Sequence, residues 1–206
     1  NKTVVEDLVR NARKVTVIVL DTSEDRPVSV RPGPGLPEEA PYSSMEPAAG
    51  SGIRPVDRPR LSLLTSPQHV VIWEAAVEKE TVLRTLASTI GREAGEGLYK
   101  SVMEREAQSS TFFNEGVAFP HVRVEGLAAP VIALGLTREG VIDVATDKPI
   151  EIVFLILSPA QTPDTQVKLL GLASRASQNR SLMQALRTVR TPEEAILAIR
   201  DWEAST

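Results

Sequence analysis

Cysteine is absent from all 206 residues, so neither a disulfide nor a thiolate metal site is available. Histidine is nearly as scarce. His69 and His121 are the only two, and their distance in sequence argues against a histidine-based zinc site. No cofactor or metal is implied. The chain has no basic cluster interleaved with aromatics, and its net charge of −4 gives no electrostatic reason to expect nucleic acid. No apolar run reaches about 18 residues, so no transmembrane helix is expected. The chain opens at Asn1 without a signal-peptide pattern, and the expected compartment is the cytoplasm. What is present looks ordinary for a globular protein, with 42% hydrophobic and 24% charged residues. The length suits one domain of roughly 100–150 residues plus extra material.

The extra material lies at the front. Residues 1–21 read as a helix, with Val5, Leu8 and Val9 at helical spacing, and then a strand over Lys14–Leu20 rich in β-branched residues. One helix and one strand cannot bury a core alone. They read as the tail of an α/β domain that is cut off or supplied by another chain. Residues 22–60 carry eight prolines, from Pro27 to Pro59, amid Gly, Ser and acidic residues. Such a segment has little apolar surface to offset chain entropy and reads as a flexible linker.

From Leu61 onward the pattern is globular. Val70–Trp73 reads as a strand, and Glu78–Ile90 as a helix with Val82, Leu83, Leu86 and Ile90 on one face and Gly91 just past its end. Leu98–Glu106 is a second helix. Val131–Leu136 and Ile150–Leu157 are strands, the latter apolar almost throughout as if buried on both faces. Thr165–Ser177 and Ser181–Arg187 are helices. Thr191-Pro192-Glu193-Glu194 opens the last one with a cap, a first-turn proline and a capping box. Strands interleaved with helices predict an α/β sandwich over 61–206.

The stretch that carries chemistry is Gly116-Val117-Ala118-Phe119-Pro120-His121, whose histidine lies sixteen residues after Arg105. A neutral imidazole is nucleophilic and titrates near physiological pH. Pro120 stiffens the approach to it, and Gly116 permits a turn or a close backbone approach. An arginine offers a planar charged fork suited to phosphate oxygens. On spacing alone, His121 reads equally well as a satisfied loop histidine, and Arg105 as a solvated arginine between Glu104 and Glu106.

The combination Glu104-Arg105-Glu106, Ser110-Thr111 and Asn114 to His121 resembles the active-site signature of phosphotransferase system EIIA domains of the fructose/mannitol/nitrogen type. The resemblance runs over about residues 61–203, and it implies a mixed sheet flanked by helices, in agreement with the α/β reading. It implies that His121 is phosphorylated by a phosphohistidine carrier of the HPr type, and that Arg105 neutralises phosphate charge. It makes Thr111 a candidate phosphate ligand, with Ser110 and Asn114 as weaker ones. It also implies onward transfer to an EIIB-type protein or a regulatory target. A slighter resemblance links residues 1–21 to the end of a universal-stress-type domain of osmosensitive potassium-sensor proteins.

Two positions depart from the family pattern. Many members carry a second histidine facing the first, and here that position is Gln166, which donates a hydrogen bond but cannot become cationic. Val122 follows His121 where a small residue is usual, and its branched side chain is expected to narrow access for the donor. Arg123 reads either as a docking residue for an acidic partner or as an ordinary exposed arginine. His69 reads as structural or surface. The alternative function is a non-catalytic regulatory module that binds a partner.

Overall fold

A computed structural model describes residues 59–91, 95–112, 116–142, 144, 146 and 148–206. The helix and strand expected over 1–21 lie outside the described residues, as does the linker over 22–60 except for Pro59 and Arg60. Pro59–Thr206 is one compact unit.

Helix α1 (Leu61–Leu64) and a single 3-10 turn (Pro67–His69) lead into strands β1 (Val70–Trp73) and β2 (Val77–Glu78). Helices α2 (Lys79–Ile90) and α3 (Gly95–Gln108) follow, then β3 (Val117–Ala118), β4 (His121–Val124), β5 (Val131–Ile142) and β6 (Ile150–Pro159). Helices α4 (Pro163–Gln178), α5 (Arg180–Thr188) and α6 (Pro192–Ala204) close the chain. From Leu61 onward, the strands and helices read from hydrophobic periodicity are all present. Glycine and polar ends had concealed their full lengths: α3 begins at Gly95, and β5 runs on past Leu136 to Ile142.

All six strands form one sheet. β5 and β6 pair antiparallel at its centre. β1 and β2 run parallel to β5 on one side, and β3 and β4 run parallel to β6 on the other. The sheet is therefore mixed, with helices covering its faces. Nine of the ten residues of β6 are buried, which explains its near-continuous apolar run. Val82, Leu83 and Leu86 of α2 and Leu98 and Val102 of α3 pack with Val153, Leu155 and Leu157 of β6 in the main core.

The short strands β3 and β4 were not legible in the sequence, for a physical reason. Val117 pairs with Ile152, and His121 pairs with Ile156, at one constant offset. The two are a single edge strand interrupted at Phe119-Pro120. Proline has no N–H to give a ladder, so it is tolerated there only because the strand is at an edge.

Helix ends follow their chemistry with two adjustments. Thr191 accepts from the Glu194 amide at 3.2 Å, but the Glu194 carboxylate returns to Arg190 N at 2.7 Å, one residue before the expected partner. Gly91 ends α2 in an extended conformation (φ −179°), not the left-handed one that a terminal glycine permits.

Candidate functional site

The site begins with how the backbone delivers His121. Gly116 adopts φ +86°, a conformation that favours glycine. Its carbonyl accepts from the amides of Glu151 (3.0 Å) and Ile152 (3.1 Å), and Pro120 O accepts from Ile156 N at 2.8 Å. These bonds pin both ends of the Gly116–Pro120 segment along β6. The alternation of a parallel ladder turns the Phe119 carbonyl to the open side of the edge strand. The Phe119 ring stacks on Phe154 with centroids 5.9 Å apart, which holds the residue in place.

His121 is the first residue of β4, not a loop residue, and is only 5% exposed. Its Nδ1 lies 2.9 Å from Phe119 O. Its Nε2 lies 3.3 Å from Arg105 Nη2. A carbonyl can only accept and a guanidinium can only donate. The two contacts together require a neutral ring with its proton on Nδ1 and its lone pair on Nε2. Burial, first, and the charge of Arg105 hold the ring's pKa below its ordinary value. The Phe119 bond and the Glu106 carboxylate oppose that shift. The protein thus favours the nucleophilic form of the ring and aims one nitrogen at a cation.

Arg105 sits in the last turn of α3. Its Nη1 donates to Ser109 O at 3.2 Å while Nη2 reaches the ring. The guanidinium is therefore anchored at both ends.

Behind it lies a group that the sequence reading treated only as a charge beside Arg105. Glu106 is 5% exposed. Its carboxylate accepts from Thr111 N (3.1 Å), Thr111 Oγ1 (2.5 Å) and Ser110 Oγ (3.1 Å), and pairs with Lys79 Nζ at 2.8 Å. Lys79 also donates to Ser110 Oγ (3.1 Å) and stands 4.5 Å above the Phe112 ring. The Ser110 and Thr111 hydroxyls each have one hydrogen, and both hydrogens go to Glu106. The visible signal for Glu106 was its place one residue after Arg105 and five before Thr111. Nothing in the sequence pointed to Lys79.

The remaining candidates occupy other places. Val122 and Val124 pack against the main core. Val122 therefore lies on the face of β4 opposite that of His121. Alternation puts His121 and Arg123 on the opposite face, in register with Ile156 and Ser158. Ser158 is fully buried and donates to Gln166 Oε1 at 3.2 Å, so the Gln166 amide sits by the same sheet face, in the second turn of α4. His69 Nδ1 contacts Ser66 Oγ at 3.1 Å in the 3-10 turn. Asn114 lies outside the described residues. Among the described residues, no three His, Asp or Glu side chains cluster to hold a metal. No helix among them is long and apolar enough to cross a membrane.

Known proteins resemble this chain in sequence and in fold. The chain is 27% identical over 128 residues to the fructose-specific EIIA component of the phosphotransferase system of Haloferax volcanii, covering 61% of this chain and 81% of that protein. It is 26% identical over 139 residues to the nitrogen regulatory protein of Pseudomonas aeruginosa, covering 65% and 90%. Among solved structures, nitrogen regulatory protein IIA-Ntr from Neisseria meningitidis superposes with a TM-score of 0.59 at 25% identity, over 67% of this chain and 97% of that one. The mannitol IIA protein of Escherichia coli, solved in complex with phosphorylated mannitol IIB, shares the fold with a TM-score of 0.52 at 15% identity, over 66% and 96%. The sequence profile of one family spans residues 63–202, and the chain belongs to that family, the phosphoenolpyruvate-dependent sugar phosphotransferase system EIIA 2 family.

Proposed function

We propose that His121 is the phosphoacceptor of a phosphohistidine carrier and that its Nε2 is the reacting atom. The observation that carries this reading is the neutral ring, with Nδ1–H held by Phe119 O and the Nε2 lone pair facing Arg105. The donor is a phosphorylated HPr-type protein. The Nε2 lone pair attacks phosphorus, a new N–P bond forms, and the donor's N–P bond breaks with its electron pair returning to the donor imidazole. Arg105 Nη2 leaves the consumed lone pair and takes a phosphate oxygen, which supplies positive charge where it is needed. Nδ1–H stays on Phe119 O throughout, so the ring does not rotate.

Gln166 offers its amide N–H groups to a phosphate oxygen, with its carbonyl end held by Ser158. Ser110 and Thr111 act on the phosphate indirectly, by holding the turn that follows Arg105. The phosphoryl group then passes to an EIIB-type acceptor or signals to a regulatory target. Residues 1–21, with their resemblance to the end of a universal-stress-type domain, would couple the carrier to a sensor through the linker over 22–60 and take no part in the transfer. The cytoplasm, where HPr-type donors work, is the proposed compartment. A binding module without chemistry is the weaker reading, because such a module has no use for a buried neutral imidazole aimed at an arginine.

The test is phosphorylation by a purified HPr relay, read by intact mass. One acid-labile phosphoryl group, absent from His121→Ala, is expected. A folded wild-type protein that gains none overturns the assignment.

A further inference from the structure

Glu106 stands where a carboxylate is costly. It is buried, and it lies in the last turn of α3, at the negative end of the helix dipole. Lys79 is equally misplaced, at the first residue of α2 and the positive end of that dipole. The two unfavourable charges meet at 2.8 Å. Apolar residues of similar volume would often be as stable as such a buried pair. Stability alone therefore does not account for the pair, and the hydrogen bonds define a geometric role.

The Glu106 carboxylate takes the Thr111 amide and hydroxyl and the Ser110 hydroxyl. Ser110 Oγ in turn accepts from Phe112 N at 3.2 Å. These bonds fix the chain as it leaves α3. Ser109 is the residue just before this clamp, and its carbonyl is the acceptor that holds Arg105 Nη1. The other end of the same guanidinium meets His121 Nε2. We propose that Glu106, neutralised by Lys79, is a positioning residue: by clamping Ser110 and Thr111 it sets the Ser109 carbonyl, and so the orientation of Arg105 against His121. The catalytic consequence rests on the assignment of His121 as phosphoacceptor. The geometric link does not.

Two readouts on the full chain separate these layers. The first is nitrogen NMR of the Arg105 guanidinium, assigned with Arg105→Lys. A guanidinium held at Nη1 and Nη2 rotates slowly and gives resolved Nη signals. These are expected in the wild type and are expected to merge in Glu106→Gln. Resolved signals that persist in Glu106→Gln, or that are missing in the wild type, overturn the proposal.

The second is single-turnover phosphorylation across a range of phospho-HPr concentrations. Glu106→Gln is expected to slow transfer by roughly ten- to hundredfold, with half-saturation by the donor within about twofold of wild type. In an Arg105→Ala background the same change is expected to have almost no further effect, because it acts through Arg105. Equal slowing in both backgrounds indicates a merely structural role and overturns the proposal. If Glu106→Gln fails to fold, Thr111→Val removes one bond of the clamp and is expected to give a smaller effect of the same non-additive form. Coupled NMR signals in a wild type that accepts no phosphoryl group would defeat the carrier assignment and leave the positioning role standing.

Discussion

On the proposed assignment, protonation of His121 competes directly with phosphoryl acceptance, because a proton on Nε2 occupies the lone pair that must attack. Burial and Arg105 hold the ring's pKa below the ordinary value of about 6.5. The rate of phosphoryl acceptance is therefore expected to be flat across neutral pH and to fall only in acid, with a midpoint below the ordinary histidine range. A pH–rate profile of single-turnover transfer checks this. Stability follows the same sign. The unfolded chain takes up the proton first, so the stability associated with the neutral ring is complete above about pH 6.5 and declines as pH falls through the folded value. His69 is also shifted down by burial, so the difference between wild type and His121→Ala melting curves isolates the contribution of His121. Arg105→Lys keeps the charge but loses the fork that reaches Ser109 O and the ring together. Transfer is expected to slow by roughly ten- to hundredfold with the melting temperature unchanged, read by stopped-flow and calorimetry. At this scale the sequence displayed the reacting pair, because a proline-histidine and an arginine at fixed spacing are visible as letters. It showed Glu106 only as a neighbour of Arg105, and it did not point to Lys79 at all. Their importance lies in burial and in two helix ends meeting, neither of which has a local signature.

Among the elements, two glycines of positive φ face different neighbours, Gly116 just before the interrupted edge strand and Gly140 within β5. Gly116 has φ +86°, and a Cβ there would meet the flexible end of Arg187, Nη2, at 3.1 Å. Gly140 has φ +93°, and a Cβ there would lie 2.5 Å from Pro149 Cβ, a rigid ring. Gly116→Ala is expected to cost about 1–2 kcal/mol, the penalty of the backbone conformation. Gly140→Ala is expected to cost about 2–4 kcal/mol, because overpacking adds to it. Chemical denaturation of both variants checks the order, and equal losses would contradict it. Long elements were legible, α2 because many residues repeat one period and β6 because its apolar run is nearly continuous. β3 and β4 were not, because they have two and four residues and a proline between them. Their strand character comes from β6 alongside.

At the scale of the molecule, Pro59–Thr206 is one compact unit that contains every residue assigned to the transfer. A chain starting at Pro59 is expected to melt in a single transition and to accept phosphate from phospho-HPr at the rate of the full chain, within about twofold. A large drop would show that the preceding residues contribute to the site. The order of strands and helices was enough to predict an α/β sandwich, and the mixed sheet followed only from the family resemblance. Which strands run parallel was not legible, because pairing is decided between segments far apart in the chain.

That pairing has a consequence in time. β5 and β6 are neighbours in sequence and pair antiparallel, so joining them closes a short loop. His121 comes into place only when β4 docks parallel to β6, with His121 opposite Ile156, thirty-five residues later. Closing the longer loop costs more entropy and comes later on the folding path. A refolding chain should regain its far-ultraviolet signal before it can be phosphorylated, so a newly made carrier would not be charged until its sheet was complete.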